Sequence, residues 1–250
     1  MSGVAAARPV VLVTGAARGI GRVIASHFAA AGYSVVVTDI DAHNATRPAG
    51  ALGDLGSCEP MDVRDRAQVA SVVERIVAER GGIDVLVNNA GVMTQGPFEK
   101  TGHGEFDELV AVNVKGIFNC VQAVAPSMRS RRKGVIVNIA SVSSVRGGGA
   151  VGNVWYGATK AAVVAMTAGL GRELGPHGVR VNAISPGLVE TDMVREFLTP
   201  AVKERVLTRF PMARLATVDD VARMALFLAS DAAAFVTGQT IAVDGGFLTS

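Results

Sequence analysis

The segment that most restricts how this chain can fold runs from Val10 to Gly21: Val-Val-Leu-Val-Thr-Gly-Ala-Ala-Arg-Gly-Ile-Gly. Branched apolar residues lead straight into a glycine cluster, which opens an alanine-rich stretch of helical character. Glycine is required where a backbone turns sharply and lets an anion approach, and the N–H groups of the helix that follows face that anion. The spacing TGxxxGxG is one residue looser than the usual dinucleotide fingerprint, and it has the strand before it and the helix after it that the fingerprint demands. Gly15, Arg18, Gly19, Ile20 and Gly21 are therefore expected to surround a pyrophosphate. Asp39 stands 18 residues after Gly21, at the end of the next apolar run, where a carboxylate is placed to bind a ribose.

The rest of the chain repeats this alternation. Val10–Val13, Ser34–Thr38, Ile83–Asn88, Gly134–Ile139, Val179–Ile184 and Thr240–Val243 read as strands. They are continuously apolar, as parallel strands covered on both faces are. Helical patterns lie between them at about Gly19–Ala31, Arg66–Arg80, Glu105–Met128, Trp155–Leu174 and Val218–Ala229. The expectation is a single α/β domain over residues 1–250, doubly wound and Rossmann-type, with a mostly parallel sheet. The polar insertion from Glu190 to Arg214 is expected to form a lid over the carboxyl ends of the strands.

Composition removes several classes of function. Lys and Arg number 24 against 22 Asp and Glu, and a net charge of +2 gives no nucleic-acid footprint. No run of about 18 purely apolar residues is present to cross a membrane. The two cysteines, Cys58 and Cys120, lie too far apart in sequence for a CxxC motif, which suits a reducing cytoplasm. There is no GxSxG elbow for a serine hydrolase. The four histidines show no metal-ligand spacing, so a metal-independent site is expected.

A second motif carries chemistry. In Tyr156-Gly-Ala-Thr-Lys160 the phenol and the ammonium are four residues apart, on one helix face. A nearby cation favours the phenolate and so makes tyrosine a usable base. Alone, the pair reads as a surface contact. Its position after a strand ending in Asn138-Ile-Ala-Ser141 gives it weight, as does the scarcity of tyrosine, with only Tyr33 besides.

TGxxxGIG, Asn88-Asn89-Ala90-Gly91, Asn113, Ser141, YxxxK and Pro186-Gly187 follow one another in the order of the short-chain dehydrogenase/reductase family, which the chain resembles from about Val10 to Phe247. The resemblance implies an oxidoreductase with Tyr156 as general acid–base, Lys160 lowering its pKa and bonding the nicotinamide ribose, Ser141 polarising the carbonyl, and Asn113 anchoring a water. It also implies that Asp62, Val63, Asn89, Ala90 and Gly91 line the adenosine half of the cofactor. Pro186, Gly187, Val189 and Thr191 would hold the nicotinamide end. A homotetramer built through the long central helices and the last strand is implied as well. Retention of both Tyr156 and Lys160 argues against a non-catalytic dinucleotide-binding regulator.

The loop from Ser141 to Tyr156 is about two residues longer than the family's. Ser143 therefore competes for the carbonyl-binding role, and Ser141 is preferred because it ends the strand. Asp39 and Arg18 pull in opposite directions on cofactor choice, and NAD is expected over NADP. The substrate is expected to be a free small secondary alcohol or ketone. The alternative is an NADPH-dependent 3-oxoacyl reductase acting on carrier protein or CoA, which usually carries an arginine where this chain has His177.

Overall fold

The computed structural model describes residues 8–148, 152–195 and 198–249. The centre of the glycine-rich loop, 149–151, and residues 196–197 of the expected lid lie outside the described residues, as does the opening stretch 1–7.

Seven strands form one sheet: β1 (Val10–Thr14), β2 (Ser34–Asp39), β3 (Gly56–Pro60), β4 (Val85–Asn88), β5 (Gly134–Ile139), β6 (Val179–Pro186) and β7 (Thr240–Val243). Their order is β3-β2-β1-β4-β5-β6-β7, and every pairing is parallel. The chain winds outward from β1 in one direction and then, from β4, in the other. That reversal opens a crevice at the carboxyl ends of β1 and β4, where ligands bind in doubly wound sheets.

Helices cover both faces. On one side α1 (Gly19–Ala30) packs with α10 (Val218–Ala229), burying Ile24, Phe28, Val221 and Leu228 against β1, β2 and β5. On the other lie α3 (Arg66–Arg80), α5 (Gly116–Arg131) and α7 (Val154–Leu174), which bury Val72, Ile76, Val124, Met128 and Val163. A third, smaller apolar cluster sits over the strand ends. It joins Val142 to Val206 on α9 (Pro200–Leu207) and to Phe210, Leu215 and Phe247.

The doubly wound sheet agrees with the sequence reading, which missed one strand, the helix before it and the short helices of the serine loop and lid. Strand β3, Gly-Ser-Cys-Glu-Pro, has no β-branched residue and owes its pairing to β2 alone. Helix α2 (Ala42–Ala51) carries Pro48, and the face it buries is made of small residues, Ala45 and Ala49. The pattern read as one helix over Glu105–Met128 is longer and interrupted: α4 (His103–Val110) passes through a π-helical turn, Ala111–Lys115, into α5. The combined helix, His103–Arg131, holds an 18-residue stretch apolar enough to cross a bilayer, yet its buried residues pack into the sheet's helical layer.

Candidate active site

The glycine turn is fixed from below by β4 and the residues after it. Thr14 Oγ1 accepts the N–H groups of Asn89 and Ala90, both at 3.1 Å. Asn89 Nδ2 donates back to the carbonyls of Thr14 (2.9 Å) and Gly15 (2.8 Å). Gly15 has φ +61°, and a Cβ there would lie 2.7 Å from Ala90 Cα, so no side chain fits. Arg18 precedes α1 in extended conformation and its side chain caps nothing, which leaves the first N–H groups of the helix facing the cleft. An anionic pyrophosphate fits this cradle on both counts.

Asp39, at the tip of β2, is held in place. Its Oδ2 accepts Ala17 N–H at 3.0 Å and its Oδ1 accepts Asp41 N–H at 3.1 Å. Asp62, across the same end of the cleft, is engaged by Arg64: Nε and Nη2 reach its two oxygens at 2.7–2.9 Å. That hydrogen bonding pulls the Asp62 carboxyl below the ordinary range, against the effect of burial. Arg64 also lies 3.6 Å from Glu108, so its charge is shared between two carboxylates.

At the centre, Ser141, Tyr156 and Lys160 meet. Ser141 lies two residues beyond β5, and its hydroxyl hydrogen-bonds the Tyr156 phenol. Burial raises the phenol above its ordinary pKa, and the Ser141 bond opposes that rise. Lys160 is buried, donates from Nζ to the Ile139 carbonyl at 2.8 Å, and is pulled down by desolvation to about 8. The competing Ser143 opens a short helix, α6 (Ser143–Arg146), and its N–H donates to Ser141 Oγ at 3.1 Å.

Of the residues expected to bind the cofactor or take part in catalysis, all but Gly21 and Asn113 line one cleft of about 390 Å³. Gly21 instead lets α1 pack on the turn, since a Cβ there would sit 2.7 Å from the Gly15 carbonyl oxygen. Asn113 is fully buried inside the π turn. Its Oδ1 accepts Val92 N–H and its Nδ2 donates to the Val92 carbonyl, each at 2.9 Å, so its side chain braces the loop after Gly91. Val63 lines the cleft and packs closely on Gly116, while Gly187 lies against Asp244 and Phe210. Pro186 accepts Val142 N–H at 3.1 Å, Val189 bridges to Ala216, and Thr191 comes within reach of Gly19.

One positioning residue escaped the sequence reading. Asn153 caps α7, its Oδ1 accepting the N–H groups of Trp155 (3.1 Å) and Tyr156 (3.3 Å). The same oxygen accepts Thr94 Oγ1 at 2.7 Å, and Nδ2 donates to Thr101 Oγ1 at 2.9 Å. It therefore ties the loop between β4 and α4 to the start of the Tyr156 helix. The signal was legible: asparagine directly before a helical run is a favoured cap.

A family model described as enoyl-(acyl carrier protein) reductase matches residues 15–248. The chain is 41% identical, over 96% of its length and 97% of the relative's, to a 3-oxoacyl-[acyl-carrier-protein] reductase of Thermotoga maritima. The chain belongs to the short-chain dehydrogenase/reductase family. Solved members superpose closely. A 3-ketoacyl-(acyl-carrier-protein) reductase of Brucella melitensis, complexed with NADH, is 36% identical with a TM-score of 0.89, covering 96% of this chain and 98% of its own. A gluconate 5-dehydrogenase of Burkholderia cenocepacia, in complex with NADP and tartrate, is 35% identical with a TM-score of 0.91, covering 97% and 96%. The short-chain dehydrogenase/reductases are oxidoreductases that use NAD or NADP, and the cradle at Gly15 and Arg18 accommodates either pyrophosphate.

Proposed function

We propose that the protein moves a hydride between NAD(H) and a small ketone or secondary alcohol, with Tyr156 exchanging the proton. The hydrogen bond between Ser141 and Tyr156 at the centre of the cleft carries this reading. A bound nicotinamide ring supplies or accepts the hydride. In reduction, the Ser141 hydroxyl holds the carbonyl oxygen and Tyr156 O–H donates its proton to that oxygen as negative charge develops. In oxidation, the same atoms take the proton back. Lys160 places a cation behind the phenol and favours the phenolate that proton donation leaves. Asn113 keeps the loop after Gly91 in place against the cofactor's path.

NAD is the preferred cofactor on the geometry of Asp39. Two backbone N–H groups hold its carboxylate at the cleft, and a 2′-phosphate there would meet a charge that cannot move away. The exposed Arg18 has no such anchor, and Arg64 is committed to Asp62 and Glu108.

The far wall of the cleft is apolar: Met93, Val142, Leu188, Val206, Phe210 and Phe247. A polyol would leave hydroxyls without partners there, whereas an alkyl or aryl substituent loses nothing. This wall supports an apolar ketone over a polyol.

A second reading, reduction of a 3-oxoacyl thioester, is favoured by the names of the relatives and by the same apolar wall. Against a carrier-bound substrate stands His177. Its Nε2 lies 3.2 Å from Arg129 Nη2, so the imidazole is already engaged by that arginine and cannot present the forked, fixed cation of a second arginine. The implied homotetramer fits the long helix, where Phe106 and Phe118 are exposed, and light scattering tests it.

The deciding experiment follows nicotinamide absorbance with NADH and NADPH against free ketones, a 3-oxoacyl thioester and the same acyl group on carrier protein. Faster turnover of free ketones with NADH supports the first reading. A carrier-linked substrate consumed far faster overturns it.

A further inference from the structure

Asp244-Gly-Gly246, the motif after β7, takes no part in hydride or proton transfer. Asp244 is buried and closes the tail into a turn: Oδ1 accepts Gly246 N–H at 3.0 Å and Oδ2 accepts Leu248 N–H at 2.9 Å. Gly245 and Gly246 have φ of +60° and +86°, and a Cβ on Gly246 would come 2.8 Å from Pro211 Cγ. Met212 N–H donates to the Gly245 carbonyl at 3.2 Å, which fastens the tail to the end of the lid.

This turn delivers Phe247 to the substrate end of the cleft, where it is 4% exposed. Its ring stacks on Phe210, with centroids 4.9 Å apart and planes at 30°. The guanidinium of Arg146, from the helix just after Ser141, lies 5.1 Å from the same ring centre, and that of Arg209, from the lid, lies 4.7 Å away. Cations at this range attract the face of an aromatic ring. The ring is thus gripped by the serine loop, the lid and the tail together, and it forms a wall that an incoming group cannot easily push aside.

We propose that Phe247 is the specificity-determining residue for the substrate's distal substituent, limiting its length and requiring it to be apolar, with Arg146 as a positioning residue that holds the ring. This rests on the hydride-transfer reading. The test measures kcat/KM for methyl ketones from butanone to octanone in the wild type, Phe247→Ala, Phe247→Leu, Arg146→Gln and Arg146→Lys, with NADH binding followed by fluorescence. Phe247→Ala is expected to raise the octanone-to-butanone ratio by about tenfold or more, the worth of a few methylenes in an apolar pocket. Phe247→Leu and Arg146→Gln should move the ratio the same way by smaller factors, and Arg146→Lys should restore it because a cation again faces the ring. A ratio within about twofold of wild type in Phe247→Ala, with NADH binding intact, overturns the assignment. If that variant does not fold, an unchanged ratio in both Phe247→Leu and Arg146→Gln overturns it equally. A wild type that turns over no ketone or secondary alcohol removes the hydride-transfer reading itself, and Phe247's role with it; an active wild type with an unmoved ratio removes only the latter.

Discussion

Lys160 Nζ stands 5.8 Å from the centre of the Tyr156 ring and gives its hydrogen bond to the Ile139 carbonyl. The ammonium is thus fixed to the end of β5 and faces the phenol's ring as a buried charge. Burial lowers it to about 8 from an ordinary 10.5. Below the lower value both folded and unfolded chains hold the proton, and the folded state carries the full cost of the buried charge. Between the two values only the unfolded chain holds it, so stability rises with pH across that window, by about 3 kcal/mol in total. Lys160→Met should therefore be more stable than wild type at neutral pH, with the gap closing toward pH 10. Urea unfolding at a series of pH values checks this, and a gap independent of pH would contradict it.

Tyr156→Phe removes the exchangeable proton and keeps the ring. Turnover should drop by about 10²–10⁴, the usual worth of a general acid–base, while NADH still binds. Single-turnover absorbance together with fluorescence titration separates the two effects. Near-normal rates would sink the proposed mechanism.

The longer loop leaves two serines to compare. Ser141 bonds the phenol, whereas the Ser143 N–H supports the Ser141 oxygen. Ser143→Ala keeps that backbone N–H, so its kcat should change by no more than a few-fold, and Ser141→Ala should lose about 10²-fold. Reversal of this order in steady-state kinetics would move the carbonyl-binding role to Ser143.

Asp39→Ala should narrow the cofactor preference. Like charges about 4 Å apart repel by roughly 4 kcal/mol at an effective dielectric of 20 and by about 1 in water. The ratio of kcat/KM for NADPH over NADH should rise by about fivefold or more, the lower of those two limits being about 1 kcal/mol. NADP preference in the unmutated protein would mean that Arg18 governs the site.

Asn153→Ala removes a helix cap and leaves Thr94 and Thr101 without their shared partner. A loss of about 1–2 kcal/mol in stability is expected, along with a raised KM as the substrate loop parts from α7. Denaturant melts and steady-state kinetics test the two halves separately.

The sequence made the sheet legible where strands are buried on both faces, because β1, β2, β4 and β5 are mostly branched apolar residues, and β6 keeps Val179, Val181 and Ile184 around Arg180 and Asn182. It hid β3, whose Gly56-Ser-Cys-Glu-Pro60 is strand only by pairing, and α2, which holds Pro48. The cleft-lining glycines and the Tyr156–Lys160 pair were readable because their chemistry fixes their spacing. Asn113 was readable only as a position; that its amide grips Val92 depends on a π turn with no local sequence signature. Phe247 was invisible as a wall, since its neighbours Arg146, Arg209 and Phe210 come from segments far apart in the chain.

The reversal at β1 also dictates the order in which the sheet can be completed. β1 pairs with β2 almost at once, Val11 opposite Val35, but its other edge must wait for Val85 of β4. During synthesis and refolding, a fully apolar strand keeps one open row of backbone donors and acceptors until β4 has emerged. Such an edge templates pairing with other chains, and closing distant parallel strands is slow. Recovery from denaturant should accordingly depend on protein concentration more strongly than recovery of a sheet built from neighbouring hairpins.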